Sequence, residues 1–202
     1  MIKIHHISKL LIVSVLENIT ITRWVGSTSL GWLLSVAFIL LLSGIFDAVG
    51  INGYQCYVGI GVGMGVGFMQ WLTLRKRAGF DTRWLWYTII GVGTPFLIFD
   101  LLKHLGHYDF GDHYLLYSVS LAGLSVGIMQ YLVLRYSTSK AVIWIPMSLI
   151  AWIAAGLTVL TIDYTRELIK PPLWGFFANL SLILSGGVVL GIITGLALKR
   201  MK

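Results

Sequence analysis

The chain has 202 residues, of which 57% are hydrophobic and only 11% carry a charge. A soluble domain typically holds about 25% charged residues, so a soluble enzyme or carrier is excluded and a membrane protein is expected. The net charge of +7 would suit nucleic acid, but the basic residues gather where the inner rim of a membrane would be, so no nucleic-acid partner is expected. A single cysteine, Cys56, rules out an intramolecular disulfide and leaves the redox compartment unread.

Residues 1–27 are too interrupted to span, since Lys9, Glu17, Asn18 and Arg23 break the apolar run. Ile7, Leu10, Leu11, Val15 and Asn18 mark one helical face, which predicts an interfacial helix on the inner leaflet; a frayed tail is the plainer account. No small-residue cleavage site follows Leu10–Leu16, so a removed signal peptide is not expected. Six spans of about 20 residues, the length a bilayer demands, then fill residues 28–202. They cover 29–48, 54–75, 84–103, 114–135, 141–162 and 174–198. Pro95 falls inside the third, where a kink is expected, and Pro171-Pro172 suit the first turn of the sixth.

The second span carries the densest pattern, with Gly59, Gly61, Gly63, Gly65 and Gly67 followed by Gln70 and Arg75. On a helix, Gly59, Gly63, Gly67 and Gln70 share one stripe and Gly61 and Gly65 lie nearly opposite. Two smooth faces let two neighbouring helices approach closely, leaving Ile60, Met64 and Phe68 for lipid.

Two later spans echo this one. Gly123, Gly127, Gln130 and Arg135 repeat it 60 positions on; Gly187, Gly191, Thr194 and Lys199 repeat it more loosely after a further 64. In each copy Leu-x-Leu precedes the basic residue. An internal period of one helical hairpin predicts three quasi-repeated hairpins, 29–75, 84–135 and 141–199. The odd spans echo one another more weakly: Asp47, Asp100 and Asp163 close them, and Trp32, Trp86 and Trp144 stand near their opposite ends. These motifs resemble a loose set of uncharacterised bacterial multi-spanning proteins with repeated G-x-x-Q-W-L-x-L-R hairpins. The resemblance implies a polytopic protein of a bacterial inner membrane, cytoplasmic or intracytoplasmic, and attaches no activity to it. The third copy departs from the pattern, with Thr194 for the Gln and Gly195 for the aromatic.

Charge orients the spans. With the N-terminus inside, the inner side receives twelve of the fifteen Lys and Arg, among them Arg75, Lys76, Arg77, Arg135, Lys199 and Arg200. Lys103, Arg166 and Lys170 alone fall outside. The positive-inside rule then places both termini in the cytoplasm, and the basic rim faces anionic lipid head groups.

Polar residues within or beside the spans are few. Gln70, Gln130 and Thr194 suit hydrogen bonds to neighbouring helices, worth typically about 0.6 kcal/mol each; the sharper account is a polar inner vestibule that passes a solute. Asp47, Asp100 and Asp163 each suit a cap on an adjacent even helix or simple exposure to water, with a cation-binding ring as the functional alternative. His104, His107, Asp109, Asp112 and His113 are the one collection of metal-ligand types, in a loop that no recognised ligand spacing matches. Asp109-Phe110-Gly111 copies the kinase triplet without its catalytic loop, and the glycine run never reaches the dinucleotide register. Eight tryptophans and nine tyrosines supply an aromatic belt, to which Trp24, Trp71, Trp84, Trp86 and Trp174 are assigned; contact with a pigment or quinone is the alternative.

Three classes of function follow. The first is a non-enzymatic integral membrane subunit, or an assembly or stabilising factor, packed by its Gly-rich helices against lipids and other membrane subunits, holding bound lipid and no cofactor. The second is a small-solute or ion transporter, channel or substrate-binding membrane component. The third is a metal-dependent membrane enzyme using the outer His/Asp loop. The first is preferred, because no Asp, Glu, Lys, Arg or His lies at mid-membrane.

Overall fold

A computed structural model describes residues 20–78, 81–168 and 172–201, with side chains throughout except at 76–78, 112, 162–168 and 172. The described residues are helical and contain no strand. Six helices are long and apolar enough to cross a membrane. They are α1 (Ile21–Ala48), α2 (Cys56–Ala78), α3 (Arg83–Leu105), α4 (Tyr114–Leu134), α5 (Trp144–Leu168) and α6 (Pro172–Arg200). Short 3₁₀ turns at Gly111–His113 and Ser139–Ile143 lead into α4 and α5.

Several ends have local causes. Thr20 caps α1 by accepting from the Arg23 N–H. Pro172 opens α6, at a position where its missing N–H costs nothing. Pro95 lies inside α3, which runs on past it to Leu105. The first helix starts at Ile21, not near residue 29, so residues 21–27 belong to the bundle and not to an interfacial segment. Residues 1–19, on which the rest of that expectation falls, lie outside the described residues.

Each helix packs on the next, and α6 returns to pack on α1, closing a ring. Glycine sets how closely the walls approach. A Cβ on Gly63 would stand 2.7 Å from Ile89 Cα of α3, and one on Gly59 would meet the Phe96 ring at 2.6 Å. On the opposite stripe of α2, a Cβ on Gly61 would meet Ile39 of α1 at 2.7 Å, and Gly65 lies directly against Gly31 and Ser35. The α4 glycines, Gly123 and Gly127, lie against α5 at Trp152, Leu149 and Ser148. On α6, Gly187 and Gly191 lie against α1 at Trp32, Ser29 and Val25. Ile60 packs toward Gly93 of α3 and is half-buried, whereas Phe68 is exposed on the outside of the ring.

Candidate functional site

The ring interior has a polar and aromatic plug at one end and an apolar chamber beyond it. The plug is built from residues 60 positions apart. Trp24, Trp84 and Trp144, from the first turns of α1, α3 and α5, meet edge to face, with ring centroids 6.3, 6.3 and 5.7 Å apart. Such edge-to-face pairs suit the aromatic quadrupole. All three are fully buried.

An indole N–H can only donate, and each finds an acceptor on an even helix. Trp84 donates to Gln70 Oε1 at 3.3 Å and Trp144 to Gln130 Oε1 at 2.9 Å. Each glutamine then donates from Nε2 to a threonine on the preceding odd helix, Gln70 to Thr28 at 3.2 Å and Gln130 to Thr88 at 2.8 Å. One glutamine therefore ties three helices together. The third unit is thinner: Trp24 donates to Thr194 Oγ1 at 2.9 Å, and Thr194 donates back to its own helix at Leu190 O. Ser148, which stands where Thr28 and Thr88 stand, is buried with its Oγ unpartnered, since Thr194 is too short to serve both sides. Leu74, Leu134 and Leu198, one turn past Gln70, Gln130 and Thr194, join the same buried cluster.

This corrects two expectations. Trp24 and Trp84 are not belt residues; they form the centre of the plug, while Trp86 and Trp174 are exposed. The corresponding tryptophans are Trp24, Trp84 and Trp144, not Trp32, Trp86 and Trp144. Trp32 instead stands at another level of the interior, 6.2 Å from Trp152. The shared 60-residue spacing of Trp24, Trp84 and Trp144, with Thr28, Thr88 and Ser148 four residues on, was the signal in the sequence. Gln70, Gln130 and Thr194 are each only 3% exposed, so they line no vestibule.

Beyond the plug the ring encloses a cavity of about 230 Å³ to which all six helices contribute, through Trp32, Val62, Phe96, Val119, Trp152 and Ile183 among others. Among its described lining residues the one hydroxyl is that of Ser35, which donates to Gly31 O of its own helix at 2.8 Å, and Trp32 and Trp152 bring indole rings. Among the described residues the chamber wall presents no acid, base or metal ligand.

At the far end Asp100 is buried and accepts from the Gln55 and Cys56 N–H groups, at 2.8 and 2.6 Å, and from the Tyr114 hydroxyl at 2.6 Å. It caps α2 from α3, where a carboxylate meets orphan amides and the positive end of the helix dipole. Asp47 is exposed at the end of α1, and the Asp163 side chain lies outside the described residues. Asp47 and Asp100 do not act alike.

His104 stacks on Tyr54, with ring centroids 4.3 Å apart, and its Nε2 lies 3.1 Å from Gly53 O. Asp109 accepts from the Gly111 N–H in a local turn, and His113 stands beside Tyr117. His107 is exposed, and the side chain of Asp112 lies outside the described residues. Among the described residues no group of three His, Cys, Asp or Glu is placed to hold a metal.

At the plug end Arg75, Arg135, Lys199 and Arg200 are exposed; the Lys76 and Arg77 side chains lie outside the described residues. Arg75 lies over the Trp71 ring at 5.1 Å. No protein-family model, curated protein or solved structure matches the chain.

Proposed function

We propose that the chain is a non-enzymatic, non-conducting integral membrane component, a subunit or stabilising factor of a larger membrane protein complex. The observation that carries this reading is the plug. The polar side chains of Gln70, Gln130 and Thr194 are spent on the three indoles, and the indoles fill the axis of the ring. A conduit needs polar groups along a wettable route that reaches both surfaces, and one end of this interior is sealed by aromatic packing.

The three hairpins read as one unit used three times, with the plug end and its exposed Arg and Lys toward the cytoplasm. The organism's inner membrane is the proposed location, with anionic lipid and other membrane subunits as partners. The apolar exterior and short connections favour such lateral association. A second reading, a membrane component that binds an apolar substrate, is favoured by the chamber.

Purification from the native membrane in mild detergent is expected to recover the chain within a larger assembly. Reconstituted alone in liposomes, it is expected to give no ion or solute flux above empty liposomes. Recovery only as a free monomer or homo-oligomer, together with saturable uptake, would overturn the reading.

A further inference from the structure

We infer that the chamber seats one acyl chain of a membrane phospholipid, which enters sideways through a gap between α1 and α6. The inference requires only that the ring lie in a bilayer, and it stands whether or not the chain belongs to a larger complex.

The gap has a traceable cause. At the level of Trp32 the seam is shut: a Cβ on Gly187 would stand 2.6 Å from Trp32 Cβ, and one on Gly186 would stand 3.0 Å from its indole. One helical turn farther, Val36 follows Trp32 on the same face of α1. Val36 lines the chamber and is nevertheless 41% exposed, so the chamber is open to the outside of the ring there. On α6 the matching step runs from Gly187 back to Ile183, which also lines the chamber and is partly buried. The α6 glycines seen against α1 run from Gly195 back to Gly186, and Ile183 stands about one turn beyond them. The neighbouring seam stays shut at this level, because Gly61 of α2 admits Ile39 of α1.

Depth and chemistry then select the occupant. Val36 lies fifteen residues into α1, about 22 Å along the helix and near its middle, so the opening faces hydrocarbon and not water. An apolar cavity of about 150 Å³ in a soluble protein stays dry and binds small hydrocarbons, and this one is larger at about 230 Å³. Its one described hydroxyl is already satisfied, and none of its described lining residues carries a charge to hold a polar head. A flexible hydrocarbon chain fills such a space and leaves its head group at the membrane surface.

Trp32 and Trp152 line the chamber and serve as native reporters. The full-length protein is placed in vesicles of phosphatidylcholine whose acyl chains carry bromine at mid-chain, a short-range quencher of indole emission. The reporter signal is the emission of the wild type less that of a Trp32→Phe/Trp152→Phe variant, each with its fold checked by circular dichroism. The signal is expected to fall by about half or more against unbrominated vesicles, since an occupied pocket buries most of its ligand against the lining. Val36→Phe/Ile183→Phe, at the exposed mouth, is expected to abolish the fall while the remaining tryptophans respond as before. An unchanged reporter signal in brominated vesicles would overturn the proposal, as would a fall that persists in the blocked variant. Quenching by an isoprenoid quinone in unbrominated vesicles, with none by the brominated chains, would reassign the occupant and overturn the acyl chain.

Discussion

Two buried amides, Gln70 and Gln130, each tie three helices together. Gln130 receives the Trp144 N–H and donates to Thr88, so it holds α3, α4 and α5 in one hydrogen-bonded chain. Replacing it by leucine keeps much of the volume and strands a buried indole N–H. A buried donor left unsatisfied costs about 1–3 kcal/mol in water-soluble proteins, while interhelical bonds in membranes average about 0.6 kcal/mol. Gln130→Leu is therefore expected to lose about 1 kcal/mol in reversible unfolding in mixed micelles. A Thr194→Val variant, whose bond is part of the thinner third unit, is expected to lose no more than that. Equal stability of Gln130→Leu and the wild type would remove the plug's energetic role.

Among the helices, glycine has two separate meanings. Gly63 lies against the α3 backbone and cannot take a Cβ without forcing α2 and α3 apart. Gly44 and Gly26, both in α1, have nothing within 4 Å of an added Cβ. Overpacking a tight contact typically costs about 1–3 kcal/mol, whereas alanine for glycine in an unhindered helix gains up to about 1 kcal/mol. Gly63→Ala and Gly123→Ala are thus expected to lower the thermal midpoint in detergent, while Gly44→Ala leaves it unchanged or raises it. The same midpoint for Gly63→Ala and Gly44→Ala would contradict the close approach of the walls.

For the molecule as a whole, the testable property is its orientation. Cys56 is the only native thiol and is just 5% exposed, packed at the α2 start that Asp100 caps, so it is expected to stay silent toward an impermeant maleimide. Exposed positions report instead: Asn52 lies between α1 and α2, and Ser139 lies just before α5 at the plug end. Asn52→Cys is expected to label in intact cells and Ser139→Cys only after permeabilisation, if the positive-inside rule sets the orientation. The reverse pattern would place the plug end outside.

Six apolar runs were readable as six helices because a backbone in hydrocarbon must satisfy its own hydrogen bonds, which leaves helix as the choice for runs of this length. Composition and run length act locally, so no knowledge of neighbours was needed. Partnership was not readable in the same way. Trp24 and Trp32 sit on one chain segment, and nothing within that segment says that one meets Trp84 and Trp144 on the axis while the other lines a chamber. The 60-residue spacing pointed to the answer, but the weaker echo through Trp32 and Trp86 competed with it. Asp47 and Asp100 likewise end similar runs, yet one faces outward and the other caps a helix 44 residues upstream. In each pair the decision belongs to ring closure. Which face of a helix turns inward, and which carbonyl or amide lies within 3 Å of it, is set by the two helices beside it, and that information exists only once all six have packed.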